Sequence, residues 1–207
     1  MLSERTIKAL DGIRKCSIGG KRKVRDLFEI MVKHPDLWMQ AYANIYANDG
    51  ATTKGIDDVT QDGFSDERIK NLIKLLKEGR YFPKPSQRTL IPKANGKMRP
   101  ISSPSGDDKL IQEVVRMILE AIYESIFSDD SHGFRPNRSC HTALEKINTW
   151  SGTIWWIEFD VKGCFDNIDH LILVKILKKK IDDEKFLQLI RRMLRTAYSG
   201  DDEGEIR

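Results

Sequence analysis

The sequence has few cysteines and no long apolar run, and both scarcities narrow the class of protein. Its three cysteines, Cys16, Cys140 and Cys164, form no paired spacing. They suggest neither a disulfide framework nor a zinc site, and they fit a reducing compartment. No apolar stretch approaches the roughly 20 residues of a membrane-spanning helix, and the first residues lack the basic-then-apolar order of a secretion signal. We expect a cytoplasmic protein with no membrane contact.

The 207 residues are 40% apolar, enough to bury the core of one substantial domain or two small ones. The net charge of +4 is modest, but basic residues gather in two segments that contain no acid. The first holds Arg14, Lys15, Lys21, Arg22, Lys23 and Arg25, and the second holds Arg80, Lys84, Arg88, Lys93, Lys97 and Arg99. Such segments are typical of surfaces that bind phosphate backbones, although solvated loops have the same composition.

The N-terminal part is predicted to be helical. Apolar residues recur at helical spacing over residues 3–48, with breaks at Gly19-Gly20 and Pro35, which predicts several short helices. After a loop, Ser65 is the predicted N-cap of an amphipathic helix.

A basic β-hairpin is predicted next. The pair Asn95-Gly96 stands between two β-prone runs, 88–92 and 98–101, and this dipeptide favours a tight hairpin turn. Prolines in both runs place these strands at the edge of a sheet.

The second half is predicted to mix helices with one strand. Ser105 and Asp108 resemble a capping box for a core helix that ends near Phe127, and Ser139 is the predicted cap of another helix. The aromatic and β-branched run 153–159 predicts a strand. Two amphipathic helices follow, over 169–180 and 183–197. The predicted fold class is α+β.

Asp160 follows the predicted strand directly, and a tight turn at Gly163 comes next. In this arrangement the Asp160 carboxylate and the Val161 carbonyl are candidate Mg²⁺ ligands, and the amides of 163–165 are candidates for binding a triphosphate. The alternative is that Asp160 is a helix cap or turn residue and Phe165 a core aromatic. The residues alone leave both alternatives open.

The stretch Phe159-Asp160-Val161-Lys162-Gly163-Cys164-Phe165, continuing to His170, closely resembles the first palm motif of group II intron reverse transcriptases. Three further segments resemble that family in order and spacing: 81–85 leading to 91–100, 131–139, and 55–57 with the helix to Gly79. The resemblance is strong across about 55–175. It implies a right-hand polymerase fold, with a helical extension over 1–50, helical fingers with the hairpin over 51–150, and the start of the palm over 151–207.

The resemblance also implies roles for individual residues. Asp160 would be the catalytic aspartate that binds the first of two Mg²⁺ ions, with Val161 beside it. The dNTP would contact Lys93, Arg99, Gly163, Cys164 and Phe165, and the Phe165 ring would exclude a 2′-hydroxyl by its bulk. The partners implied are dNTPs, an RNA template with a DNA primer, and the intron RNA. We expect the RNA to contact the first basic segment, Arg14, Lys15, Lys21, Arg22, Lys23 and Arg25, together with Arg135 and Arg138.

The sequence also departs from the family pattern, because the Gln-Gly segment and the Tyr-Ala-Asp-Asp hairpin that follow in the family do not occur in it. One carboxylate cannot hold two metal ions, so we expect the fragment to be catalytically incomplete. We expect an uncovered apolar strand edge and uncovered helix faces to promote its self-association, whereas Trp150, Trp155 and Trp156 should pack in the core. The main alternative function is an RNA-binding splicing cofactor without polymerase activity. A retron or defence-associated reverse transcriptase is a further alternative.

Overall fold

The computed structural model describes residues 2–20, 22–94 and 96–199, apart from the side chain of Asp49. Within these ranges the α-helices are α1 (Glu4–Gly19), α2 (Leu27–Lys33), α3 (Pro35–Tyr46), α4 (Asp66–Lys77), α5 (Gly106–Tyr123), α6 (Cys140–Asn148), α7 (His170–Lys180) and α8 (Glu184–Leu194). The strands are β1 (Ser86–Pro92), β2 (Met98–Ser103) and β3 (Tyr198–Ser199). The α+β class is confirmed. None of the described helices is long and apolar enough to cross a membrane.

Helix α5 lies at the centre of the core. Its apolar residues recur at helical spacing, and Leu110, Val114, Ile118 and Ile122 are fully buried. The helix packs against α1 and α3, and α2, α4 and α8 contribute further buried side chains. The core therefore lies in the first two thirds of the chain, together with α8 and the C-terminal end of α7.

Several predicted helix boundaries are confirmed. Gly20 has a left-handed backbone with φ of 63° and ends α1, and Pro35 begins α3. The side chain of Ser65 accepts a hydrogen bond from the Arg68 amide, and Ser139 forms a capping box at α6. Local caps are read reliably because both partners lie within one turn of chain.

The predicted capping box at Ser105 is wrong. The Ser105 side chain makes no hydrogen bond to the start of α5, and its hydroxyl donates instead to the carboxylate of Asp57, 2.8 Å away. Asp108 accepts hydrogen bonds from Tyr81 and from the Lys84 amide. Partners distant in sequence therefore take the side chains that the local pattern assigned to the cap.

The sheet is small and mixed. Strands β1 and β2 pair antiparallel, from Gln87 opposite Ser103 to Pro92 opposite Met98, and β3 pairs parallel with β1. Asn95, in the predicted turn, lies outside the described residues. The predicted helix over 183–197 is too long, because α8 ends at Leu194 and the chain then turns to join the sheet.

The predicted strand over 153–159 is wrong. The structure assigns no strand there, and every residue of the segment is exposed. The prediction that Trp150, Trp155 and Trp156 pack in the core is wrong too, since all three are exposed. Trp155 is 84% exposed, and Trp150 and Trp156 stack on each other with ring centroids 5.8 Å apart. A β-prone run forms a strand only where a neighbouring strand satisfies its backbone, and no described strand lies beside this one.

Candidate functional site

The turn after Asp160 is held by its own side chains. Gly163 has a left-handed backbone with φ of 59°. A Cβ added there would lie 3.0 Å from Nδ2, the side-chain amide nitrogen of Asn167. That amide donates to the carbonyl of Gly163 at 2.9 Å, and a short 3₁₀ helix runs over Phe165–Asn167. Asp169 then caps α7, because its carboxylate accepts hydrogen bonds from the amides of Leu171 and Ile172.

The Asp160 carboxylate is exposed and accepts no hydrogen bond or ion pair from the described residues. An oxygen ligand of this kind suits Mg²⁺. No group of three or more His, Cys, Asp or Glu side chains able to hold a metal ion occurs in the described part of the chain. Asp160 therefore fits one ligand position, but the described residues do not complete a two-metal site.

Phe165, Cys164 and Val161 lie on the surface of the same turn. The Phe165 ring is 79% exposed, so it is not the core aromatic that the alternative interpretation required. Cys164 is a free, exposed cysteine. A bulky ring at the tip of a glycine turn is open to contact by a bound ligand.

Lys93 and Arg99 lie near the end of the β1–β2 pair. Arg99 stands opposite Ile91, and the Lys93 amide donates to the Lys97 carbonyl at 2.7 Å. Both basic side chains are exposed. No hydrogen bond or ion pair found in the described ranges joins either of them to the segment 160–165, so their joint role in dNTP binding stays a prediction.

A buried carboxylate at the start of α5 holds the base of this β1–β2 pair. Asp108 is 2% exposed and accepts hydrogen bonds from the Tyr81 hydroxyl at 2.5 Å and the Lys84 amide at 2.9 Å. Burial raises the pKa of Asp108 despite these two donors. Burial also raises the pKa of Tyr81, as does the adjacent Asp108, so the hydroxyl remains a donor. The sequence did not predict this hydrogen bond between Tyr81 and Asp108.

The neighbouring loop is fixed by Asp57, which belongs to one of the segments that resemble the family. Its carboxylate accepts hydrogen bonds from Lys84 Nζ at 2.6 Å and Ser105 Oγ at 2.8 Å. Burial alone would raise the pKa of Asp57, but the hydrogen bonds from Lys84 and Ser105 outweigh it and lower that pKa.

Two glycines allow this loop to touch α5. An ideal Cβ on Gly55 would lie 2.6 Å from Ser105 Cα, and one on Gly106 would lie 2.7 Å from the carbonyl oxygens of Thr60 and Val59. Only glycine permits such close approach of two backbones. The loop, the start of α5 and the base of the sheet therefore form one connected unit.

Arg192 on α8 is a further residue that no sequence motif indicated. Its guanidinium donates to the carbonyls of Gly79 and Tyr81, at 3.2 and 2.9 Å, and lies 4.5 Å from the centre of the Phe82 ring. It thereby fixes the segment that leads into β1.

The predicted RNA-contacting residues near the N-terminus fall into two groups. Arg14 pairs with Asp11 at 3.2 Å, and Arg25 pairs with Asp182 at 2.6 Å. The remaining described members are exposed and make no ion pair with described residues: Lys15, Arg22 and Lys23. Lys21 lies outside the described residues.

Arg135 and Arg138 are occupied by internal contacts. The Arg135 side chain is only 7% exposed and donates to the Glu124 carboxylate and to the carbonyls of Ser128 and Ser131. Arg138 pairs with Asp129 at 3.1 Å. These bonds give Arg135 a structural role, and its predicted RNA contact finds no support in this geometry.

Comparison with known proteins agrees with the resemblance seen in the motifs. Residues 91–206 match the family described as "Reverse transcriptase (RNA-dependent DNA polymerase)". The chain belongs to this family.

Its relatives place it in the group II intron class. It is 49% identical over 191 residues to "Group II intron-encoded protein LtrA" of Lactococcus lactis subsp. cremoris, a match covering 90% of this chain and 32% of that protein. It is 42% identical over 199 residues to "Uncharacterized 91 kDa protein in cob intron" of Schizosaccharomyces pombe, covering 95% and 25%. "Nuclear intron maturase 1, mitochondrial" of Arabidopsis thaliana is 37% identical over 106 residues, covering 49% and 15%. The predicted resemblance is confirmed, and the chain spans about a third or less of these relatives' length.

Proposed function

We propose that this chain is part of a group II intron reverse transcriptase that copies RNA into DNA and binds its intron RNA to assist splicing and mobility. The observation that carries the proposal is the exposed carboxylate of Asp160, which has no hydrogen-bond or ion-pair partner among the described residues. It begins a tight glycine turn inside the region that matches the reverse transcriptase family. The fragment alone is catalytically incomplete. Residues 1–50, 51–150 and 151–207 would form the N-terminal extension, the fingers and the start of the palm.

In the complete protein, Asp160 and the Val161 carbonyl would hold Mg²⁺, which supplies charge neutralisation during phosphoryl transfer. The amides of Gly163, Cys164 and Phe165 would orient the dNTP, and Lys93 and Arg99 would bind its phosphates. The exposure of all these residues supports the assignment, because each is open to a ligand. We place the protein in the cytoplasm on its cysteine usage.

Primer extension by the full-length protein tests the proposal. The substrates are an RNA template, a DNA primer and dNTPs with Mg²⁺, and the variants are Asp160→Ala and Asp166→Ala. Asp166 is the matched control, since it is an exposed aspartate in the same turn. We expect Asp160→Ala to abolish extension while RNA binding is retained, and Asp166→Ala to extend.

The same experiment separates the proposal from the splicing cofactor. A wild-type protein that binds intron RNA but never extends a primer would be a cofactor without polymerase activity. Extension that survives Asp160→Ala would remove Asp160 from the catalytic site.

A further inference from the structure

One side chain of α8 holds three positions in the segment that leads into β1. Arg192 Nη1 donates to the carbonyls of Gly79 and Tyr81, at 3.2 and 2.9 Å. The same guanidinium lies 4.5 Å from the centre of the Phe82 ring. It therefore restrains this segment by two hydrogen bonds and a cation–π contact at once.

The chain that follows α8 contacts the start of β1 as well. The Ser86 amide donates to the Ala197 carbonyl at 3.0 Å, and Ser86 stands opposite Tyr198 in the parallel pairing of β1 with β3. The Arg88 guanidinium lies 4.0 Å from the centre of the Tyr198 ring. The chain after α8 therefore continues the contact that Arg192 begins.

Helix α8 is itself anchored to the rest of the protein. Its Phe186 side chain is fully buried in the core, and the Asp183 carboxylate at its start accepts the Phe28 amide at 2.8 Å. Just before the helix, Ile181 forms a parallel β-bridge with Val24. Because α8 is anchored in this way, the contacts that it makes hold the segment before β1 in a defined position.

The far end of the β1–β2 pair has little packing of its own. Residues 89–92 and 98–102 are exposed, so the direction of the pair is set mainly at its base. Strand β1 has seven residues, which span roughly 23 Å. A tilt of about 5° at its start would therefore move its far end, where Lys93 and Arg99 lie, by roughly 2 Å. A displacement of that size breaks a hydrogen bond to a phosphate oxygen.

We propose that Arg192 is a positioning residue for dNTP binding. Its contacts set the direction in which the β1–β2 pair extends, and this direction places the Lys93 and Arg99 cations against the phosphates of the nucleotide. The inference rests on the proposed function, because it takes the role of these two cations from it. It adds that a residue of α8, in the part of the chain proposed as the start of the palm, orients the basic strand pair of the fingers.

The test measures primer extension by the full-length protein on an RNA template with a DNA primer, at a series of dNTP concentrations. Arg192→Met removes the charge and both hydrogen bonds but keeps an unbranched side chain, and Arg192→Lys keeps the charge and a donor. The matched control is Arg191→Met, which removes the same charge from the same helix. Arg191 pairs with Glu184 at 2.5 Å, a partner that also lies on α8. Circular dichroism checks that each variant folds.

We expect the KM for dNTP to rise roughly tenfold in Arg192→Met and roughly threefold in Arg192→Lys, with kcat changed less than about twofold. The reason is that Lys93 and Arg99 would hold the nucleotide before and during the reaction alike. Arg191→Met should leave both constants unchanged. A merely structural role would reduce the amount of active enzyme, which lowers the apparent kcat and leaves KM as it was. An unchanged KM in the folded Arg192 variants would overturn the inference.

A double-mutant comparison separates this inference from the proposed function. If Arg192 acts through the two cations, Arg192→Met should change KM less than about twofold when Lys93→Gln and Arg99→Gln are already present. A full rise of KM in that background would mean that Arg192 acts by another route and would overturn the inference. If Lys93→Gln with Arg99→Gln leaves KM unchanged, the inference fails while the polymerase function stands. A wild-type protein that never extends a primer removes both.

Discussion

The hydroxyl of Tyr81 donates a 2.5 Å hydrogen bond to the buried carboxylate of Asp108, across 27 residues of sequence. The same carboxylate accepts the Lys84 amide, so it holds both the start and the end of the segment that leads into β1. Asp108 therefore helps to orient the basic β1–β2 pair, together with Arg192, which contacts the same segment. We expect loss of these hydrogen bonds to lower the free energy of unfolding.

Replacing Tyr81 with phenylalanine tests this relationship. Tyr81→Phe removes the donor and leaves Asp108 with one partner, so we expect the free energy of unfolding to fall by about 1.5–3 kcal/mol. Urea denaturation measures it. Tyr46→Phe is the control, because Tyr46 is exposed and should change stability little. Equal effects at both positions would contradict a role for the Tyr81 bond.

Asp57 should make the free energy of unfolding depend on pH in the acidic range. Its pKa lies below the ordinary value of 3.8, so its contribution is present above pH 3.8 and is lost as pH falls through the lowered folded-state pKa. We expect Asp57→Asn to cost about 1–2 kcal/mol near neutral pH and progressively less below pH 3.8. Unfolding free energies of both proteins across this range measure the difference. Asp58→Asn, whose side chain is exposed, should show no such convergence.

The close contact at Gly106 gives a third prediction. Gly106→Ala would force a Cβ against two carbonyl oxygens, so we expect a loss of about 1–3 kcal/mol in unfolding free energy. Gly12→Ala is the matched control, since Gly12 lies within α1 with nothing within 4 Å of its added Cβ. That variant should gain about 0.5–1 kcal/mol from helix propensity. If Gly106→Ala left the free energy of unfolding unchanged, the loop would be able to move away from α5.

Prediction from sequence worked where the determinants are local. The apolar spacing of α4 and α5 and the caps at Ser65 and Ser139 lie within a few turns of chain, and the structure matches them. Prediction from sequence failed where residues distant in the sequence determine the local structure. The run 153–159 has strand composition but no neighbouring strand in the described ranges, and the roles of Asp108 and Arg192 depend on residues 24 and more positions away. Motifs predict roles for Asp160 and Phe165, but no local pattern predicts the bridge from Val24 to Ile181.

The exposed Phe165 ring allows the proposed role in dNTP binding to be tested in the full-length protein. If it excludes the 2′-hydroxyl by bulk, Phe165→Val should raise ribonucleotide incorporation relative to dNTPs by roughly tenfold or more. Primer extension with each nucleotide type measures this ratio. Phe134→Val is the control, because Phe134 is also exposed but lies outside the turn. An unchanged ratio in Phe165→Val would assign the ring another role.

The apolar segment after α6 should make the fragment associate with itself. Ile154, Trp155, Ile157 and Phe159 are each more than 80% exposed, with values from 84% to 88%, and contiguous apolar surface of this kind favours contact with a second copy. Light scattering across a concentration series should show the mass rising above that of the 23.9 kDa monomer.

Charges placed in that segment should prevent the association. We expect Trp155→Glu with Ile157→Glu to weaken it at least roughly tenfold, because burying a carboxylate in an apolar contact is costly. Ile18→Glu, at an exposed position of α1, should leave it unchanged. A wild-type fragment that stays monomeric at high concentration would show that exposure of 153–159 does not drive self-association, and equal weakening by Ile18→Glu would move the contact to another surface.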